Sequence, residues 1–168
     1  MRESGREVWD LYDANGKSLG KTAYRGDSLK KGEYHLVIHV WVRRPDGNYL
    51  IQKRSQSLTI HPGMWAATGG SVIAGESSKE GAARELEEEL GIEAEPKELR
   101  QFFAGKKRNS LVSAWLLERE IARSEIRLQE EEVSEVSWAT PEHIRSMVAA
   151  GKFCAYGNEY FDTLFSFC

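Results

Sequence analysis

Every second residue from 36 to 42 is aliphatic, a pattern that predicts a β-strand with one face packed on a core. The aliphatic face consists of Leu36, Ile38, Val40 and Val42. The opposite face carries two histidines, His35 and His39, beside Val37 and Trp41. A Pro-Asp-Gly-Asn turn at 45–48 and a second strand over 49–53 predict that this strand continues into a plain hairpin.

Shorter apolar segments and turn residues predict the remaining elements. An Asn15-Gly16 turn would join strands over 8–12 and 18–24, and a loop would follow over 25–33. Further strands are predicted over 65–72, 99–104, 110–118 and 133–139, and helices over 77–90, 140–150 and the aromatic tail at 158–167. Interspersed strands and helices predict an α/β fold with a mixed sheet covered by helices. Residues 1–33, the N-terminal hairpin and loop, would be part of the same domain as residues 34–168.

The helix over 77–90 has the clearest boundaries of the chain. Ser77 with Glu80 three residues later forms a capping-box pattern, and Gly91 stands where a helix-ending glycine belongs. At 100° per residue, Ala82, Leu86 and Leu90 share a stripe that would face the core.

Three glutamates lie together beside that stripe: Glu85, Glu88 and Glu89. Like charges at these spacings destabilise an isolated helix by roughly 0.2–0.5 kcal/mol per pair, and Arg84 can reach only part of the cluster, at Glu88. Two interpretations are open at this point. The glutamates form either a solvated acidic face or a site for a hard cation such as Mg²⁺ or Mn²⁺, which prefers carboxylate oxygens.

Composition and net charge disfavour nucleic-acid-binding, membrane-bound and disulfide-linked classes of protein. The 168 residues suffice for one domain, and the formal net charge of −3 does not favour a general nucleic-acid binder or a membrane-surface protein. Cys154 and Cys168 form no CxxC pair, and we expect free thiols. The N-terminal residues lack the apolar run of a signal peptide, and no stretch of about 18 apolar residues occurs. We therefore expect a cytoplasmic protein.

The segment 70–92 reads Gly-x5-Glu-x7-Arg-Glu-Leu-x-Glu-Glu-x-Gly-Ile and resembles the signature of the Nudix hydrolase family at every fixed position. The resemblance implies an α/β/α sandwich and a magnesium- or manganese-dependent enzyme that uses water to cleave a diphosphate linkage. It implies that Glu85, Glu88, Glu89 and the carbonyl of Gly69 bind the metal. Glu76 and Arg84 would orient the loop and the helix. Glu85, Glu88 or a glutamate of the 130–132 run would take the proton from water, although that run is also typical of a solvated turn.

A weaker resemblance, over about residues 7–150, points to the branch of this family related to isopentenyl diphosphate isomerase. Its signals are the N-terminal hairpin and residues 34–42, 51–55 and 61–65. His35 matches an isomerase-like histidine, but Gly69 and Ser71 stand where the isomerase has its catalytic cysteine and a metal-binding histidine. Hydrolysis is therefore favoured. An isomerase-like enzyme and a non-catalytic nucleotide-binding module remain as alternatives, although such modules commonly lose the motif carboxylates that this chain keeps.

Residues outside the motif would select the substrate, a nucleoside diphosphate derivative or a similar small molecule. Positive or aromatic candidates are Lys53, Arg54, His35 and Trp65. Each residue type is also common at the solvated surface or in a packed core, without any role in binding. No nucleic acid or membrane partner is expected, and the resemblance allows a homodimer.

Overall fold

The computed structural model describes residues 2–3 and 5–168, with side chains from residue 5 onward. A seven-stranded sheet carries the fold, and a second sheet of three strands lies at the N-terminal end. The strands are β1 (Arg2–Glu3), β2 (Arg6–Tyr12), β3 (Ser18–Tyr24), β4 (His35–Arg43), β5 (Tyr49–Arg54), β6 (Trp65–Ala66), β7 (Thr68–Ser71), β8 (Arg100–Lys107), β9 (Ser110–Glu118) and β10 (Val133–Ala139). The helices are α1 (Ser78–Leu90), α2 (Pro141–Ala149) and α3 (Asn158–Ser166), with 3₁₀ turns at Pro96–Glu98 and Arg123–Glu125.

The main sheet is mixed and is covered by helices on both faces, which confirms the predicted α/β/α sandwich. Its strand order is β10-β5-β4-β9-β8, and the central pair β4–β9 is parallel. One core lies between the sheet and α1 and contains Ile38, Val40 and Leu86. The other lies under α2 and α3 and contains Trp41 and Tyr160. Both faces of β4 are therefore buried, and each packs in a different core.

The prediction of a plain hairpin between β4 and β5 is wrong. The two strands pair only next to their turn, at Arg43 and Tyr49, and then diverge. Residues 65–71 fill the gap, because β6 pairs with β5 and β7 pairs with β4. This segment therefore places Gly69 opposite His39 in the middle of the sheet.

The eighth strand extends further than residues 99–104. It continues to Lys107, because its pairing with β9 runs to Ser110 across a tight turn. Arg108 adopts a positive φ of 55° in that turn. Lys106 and Lys107 are consequently strand residues with exposed side chains.

The N-terminal hairpin β2–β3 turns at Asn15-Gly16 as predicted, since the Gly16 N–H donates to the Asp13 carbonyl at 3.0 Å. It joins the main sheet through two backbone hydrogen bonds between Tyr12 and Tyr34, 2.8 and 2.9 Å long. The Trp9 ring stacks on the His35 ring with centroids 3.9 Å apart.

The three α-helices have 13, 9 and 9 residues. Among the described residues, no helix combines the length and the apolar character that crossing a bilayer requires.

Candidate active site

Helix α1 positions the acidic residues of the motif, and local sequence fixes both of its ends. The Ser77 side chain accepts from the Glu80 N–H, and the Glu80 side chain accepts from the Ser77 N–H, which completes the predicted capping box. Gly91 ends the helix with φ 68°, a conformation that glycine adopts without strain. The helix therefore begins and ends where the sequence predicts.

The three glutamates of this helix do not share one environment. Glu85 and Glu89 are buried, with 7% and 6% of their surface exposed. Glu88 is exposed. Periodicity places the three on one side of the helix, but it does not show that only two of them lie under the sheet.

Arg84 links the loop before α1 to two of these glutamates. Its guanidinium donates to both oxygens of Glu76, with the shortest contact at 2.7 Å. It also donates to Glu85 at 2.9 Å and to Glu88 at 3.2 Å, which confirms the predicted contact between Arg84 and Glu88. A further hydrogen bond reaches the Ser71 carbonyl at 3.1 Å. The Glu76 hydrogen bonds raise the pKa of Arg84 above its usual range, so this cation is permanent.

Two glycines of β7 allow the helix and the sheet to approach closely. A Cβ atom on Gly70 would lie 2.4 Å from the nearer carboxylate oxygen of Glu85. A Cβ on Gly69 would lie 2.9 Å from the Ile38 carbonyl oxygen and 3.2 Å from the His39 ring. The backbone at Gly70 is therefore directly beside the Glu85 carboxylate, whereas Gly69 packs against Ile38 and His39 of β4.

Glu89 is held by a buried chain of neutral side chains that the sequence analysis missed. The Gln52 amide donates to Glu89 Oε2 at 2.7 Å, and the Thr68 hydroxyl donates to the Gln52 carbonyl oxygen at 2.7 Å. All three residues are buried. A glutamine inside the otherwise apolar segment 49–52 was the available signal, because a buried amide needs a polar partner.

Burial makes both carboxylates costly in their charged form. It raises the pKa of Glu85 to about 7, although the Arg84 charge lowers the pKa in part. It raises the pKa of Glu89 to about 8, against the Gln52 hydrogen bond, which lowers it. Two desolvated carboxylates, one paired with Arg84 and one hydrogen-bonded only to a neutral amide, are an environment that a divalent cation would stabilise.

The donor set fits a hard cation that keeps several of its waters. Glu85 and Glu89 offer oxygen atoms on consecutive turns of α1, and the backbone of Gly69 lies nearby. Within residues 5–168, no three Asp, Glu, His or Cys side chains are grouped so that they could hold a metal ion by themselves. Mg²⁺ commonly binds through one or two carboxylates with water and substrate completing its shell, whereas a structural zinc site would be closed.

The structure does not bring the four predicted substrate-binding residues together. Arg54 lies close enough to lower the pKa of Glu89, and its Nε donates to the Ile60 carbonyl at 3.0 Å. Lys53 and Trp65 are strand partners, and Trp65 packs against the core under α2 and α3. His35 lies at the N-terminal end of β4, with Nε2 2.9 Å from the Ser110 hydroxyl.

His39, rather than His35, lies next to Gly69. Its Nδ1 is 2.9 Å from the Tyr160 hydroxyl, which also accepts from the Trp41 indole N–H at 2.7 Å. Burial lowers the pKa of His39 to about 4, so the ring is neutral at pH 7. Strand alternation had placed both histidines on this face, but it could not show which of them lies beside the glycines.

The two cysteines are free thiols, as predicted, and Cys154 is half-buried whereas Cys168 is exposed.

The sequence profile of the NUDIX domain matches residues 33–156. The match contains the glycines of β7, the loop and the whole of α1. The chain belongs to the Nudix family, whose hydrolases act on acid anhydrides in small molecules.

Relatives of known sequence extend this similarity over most of the chain. An uncharacterized Nudix hydrolase of Listeria monocytogenes is 36% identical over 151 residues, which cover 89% of each chain. One from Pseudomonas aeruginosa is 42% identical over 141 residues, 83% of this chain and 82% of its own. The uncharacterized Nudix hydrolase YfcD of Escherichia coli is 38% identical over 71% of this chain and 64% of its own.

Solved structures show the same fold. A crystal structure of the protein DR0079 from Deinococcus radiodurans superposes with a TM-score of 0.75 at 24% identity, covering 96% of this chain and 99% of its own. The MutT protein from Methanosarcina mazei superposes with a TM-score of 0.62 at 30% identity, covering 82% and 96%.

Proposed function

We propose that the protein is a Mg²⁺- or Mn²⁺-dependent pyrophosphohydrolase that cleaves a diphosphate linkage by attack of water at phosphorus. Its substrate would be a nucleoside diphosphate derivative or a similar small molecule. One observation carries the proposal: Glu85 and Glu89 are buried on consecutive turns of α1, and Glu85 lies directly against Gly70 of β7. Burial of both charges would be unfavourable without a cation to bind there.

Different residues of the site would bind the metal and position its ligands. Glu85, Glu89, the exposed Glu88 and the Gly69 carbonyl would hold the metal. A bound Mg²⁺ or Mn²⁺ supplies charge neutralisation for the diphosphate and lowers the pKa of a water. Arg84 keeps Glu85 and Glu88 in place through hydrogen bonds of 2.9 and 3.2 Å.

A carboxylate takes the proton of the attacking water. The water oxygen forms a bond to phosphorus, the bridging P–O bond breaks, and the leaving phosphate carries away the electron pair. Glu85 and Glu88 are candidate bases within the motif, and Glu132 is a candidate outside it. Glu132 immediately precedes β10, its carbonyl accepts from the Ser55 N–H at 2.9 Å, and its charge contributes to raising the pKa of Glu89.

A matched pair of variants tests the metal site. Glu89→Gln should lower kcat by at least about 100-fold with Mg²⁺ present, because one ligand is lost. Glu87→Gln removes the same charge from an exposed position on the same helix and should leave the rate unchanged. A panel of nucleoside diphosphate derivatives, dinucleotides and isoprenoid diphosphates, read by phosphate release and product mass, supplies the substrate. Near-wild-type rates in Glu89→Gln would show that this carboxylate is not a ligand.

Two further experiments address the reaction itself. Hydrolysis in H₂¹⁸O should place the label on a phosphate product, as attack at phosphorus requires. Glu132→Gln should lower kcat and flatten the acidic limb of its pH profile, whereas Glu131→Gln, its exposed neighbour, should do neither. A normal pH profile in Glu132→Gln would assign the base to the motif.

The isomerase alternative meets a steric obstacle at residue 69. A side chain there would approach the Ile38 carbonyl to 2.9 Å, so a catalytic cysteine would require the backbone to move. On incubation with isopentenyl diphosphate, we therefore expect no formation of an isomer that keeps its diphosphate intact. The non-catalytic alternative predicts metal or nucleotide binding with no turnover across the whole panel.

A further inference from the structure

The N-terminal hairpin contacts the loop that precedes α1, although it lies outside the segment 33–156 that matches the family profile. The Ala74 N–H donates to the Val8 carbonyl at 2.7 Å. The Gly75 N–H donates to Asp10 Oδ2 at 2.8 Å. Gly75 has a φ of +87°, so the loop turns sharply at the residue that Asp10 holds.

This loop sets the position of Glu76, the next residue along the chain. Glu76 Oε1 accepts from the Ile73 N–H at 3.1 Å, within the same loop. Both oxygens of Glu76 also bind Arg84, which in turn contacts Glu85 and Glu88. A shift of the loop would therefore be transmitted through the ion pairs of Arg84 with Glu76, Glu85 and Glu88 to the carboxylates of α1.

The hairpin is anchored well enough to act as a fixed support. Asp10 lies between Trp9 and Leu11, whose surfaces are 8% and 3% exposed. Trp9 stacks on His35, and Tyr12 is hydrogen-bonded to Tyr34 at the start of β4. Asp10 is thus tied through the hairpin to the strand that also pairs with β7.

We propose that Asp10 is a positioning residue for the metal-binding carboxylates, acting through Gly75, Glu76 and Arg84. The proposal rests on the function proposed above, because it assumes that Glu85 and Glu88 bind a divalent cation. Asp10 touches neither metal nor substrate. It holds the loop close enough to the sheet for Arg84 to contact both Glu85 and Glu88.

Three variants separate positioning from general stability. Asp10→Ala removes the acceptor for Gly75, whereas Asp10→Asn keeps an acceptor oxygen of the same reach. Asp13→Ala is the control, because Asp13 caps the distal turn of the same hairpin through the Asn15 and Lys17 N–H groups, at 2.8 and 3.0 Å. The readouts are the Kd for Mn²⁺ from electron paramagnetic resonance of the free ion, kcat and KM separately, and hydrogen exchange of the Gly75 amide.

Asp10→Ala should accelerate Gly75 exchange, weaken Mn²⁺ binding by about 3- to 10-fold and lower kcat with little change in KM. Removal of a residue that orients a ligand typically costs 10- to 100-fold, and Asp10 acts less directly, through Gly75, Glu76 and Arg84. Asp10→Asn should recover most of the loss, and Asp13→Ala should leave the Mn²⁺ Kd unchanged.

Two results would overturn the inference, and only the second would also overturn the proposed function. Wild-type Mn²⁺ affinity and kcat in Asp10→Ala, with faster Gly75 exchange, would remove the positioning role and leave the proposed function intact. A wild-type protein that binds no Mn²⁺ and hydrolyses no diphosphate would remove both.

Discussion

Between the main sheet and α1, neutral side chains contact the buried carboxylate of Glu89. Gln52 donates to Glu89 and is itself fixed by Thr68. A buried amide donor can stabilise a carboxylate without neutralising it, so Glu89 stays available to a cation. Arg84 has a different role at Glu85, because its permanent charge is shared with Glu76 and Glu88.

Replacing Gln52 by leucine should destabilise the metal-free protein. The Glu89 carboxylate and the Thr68 hydroxyl would each lose a partner in a buried environment, at a cost of about 1–3 kcal/mol. Urea unfolding at pH 8 in a chelating buffer measures the change in the free energy of unfolding. Gln129→Leu, at an exposed position, is the control, and equal stability of the two variants would contradict the proposed buried chain.

Replacing Gly70 by alanine should impair catalysis more than folding. The new methyl group would begin 2.4 Å from the nearer Glu85 oxygen, so the carboxylate must move. Displacement of a catalytic group by about 1 Å can cost on the order of 100-fold in rate. The check is kcat/KM with Mg²⁺, together with near-ultraviolet circular dichroism for the fold, and a rate within threefold of wild type would refute the close approach.

Local sequence determines helix α1 more completely than it determines the strand pairing of the main sheet. The helix boundaries follow from Ser77, Glu80 and Gly91, which act on neighbouring residues and are visible in the sequence. The divergence of β4 and β5 is not visible in the sequence, because it depends on residues 65–71 returning after the loop that follows β5 and pairing with both strands. For the same reason, the motif predicted Glu85 and Glu89, whereas the partner Gln52 became evident only in the folded structure.

The capping box should contribute stability without taking part in the reaction. Ser77→Ala removes the acceptor for the Glu80 N–H, and loss of such a cap costs about 1 kcal/mol. Thermal and urea unfolding would measure that loss, and kcat at saturating Mg²⁺ should match the wild type. A large fall in kcat with unchanged stability would mean that the cap positions the carboxylates directly.

Two histidines that are neutral in the folded protein, His35 and His39, join the N-terminal hairpin and α3 to the main sheet. Burial lowers the pKa of His35 to about 4, with a smaller contribution from the charge of Arg25. An unfolded histidine titrates near 6.5, so the unfolded chain binds more protons between these two values. The stability that His35 contributes is present above pH 6.5 and is lost as the pH falls toward 4.

Acid should therefore loosen the contact between the hairpin and the sheet, and His35→Gln should reduce this sensitivity. From about 1.36 kcal/mol per pKa unit, neutral His35 accounts for on the order of 1–2 kcal/mol of the stability lost between pH 7.5 and pH 5. Urea midpoints of both proteins at the two pH values give the difference. The variant starts less stable, because it loses the stacking on Trp9, but its midpoint should decline less. Parallel declines would show that His35 titrates normally.

The order of elements along the chain has a consequence for synthesis on the ribosome. Helix α3 follows every strand of the sheet, yet it delivers Tyr160, Phe161 and Leu164 to the interior. Until it emerges from the exit tunnel, the indole of Trp41 lacks its hydroxyl partner and this face of the sheet is covered by α2 alone. A nascent chain halted before residue 158 should accordingly remain protease-sensitive and attractive to chaperones, and the protein should acquire its resistance in a single late step.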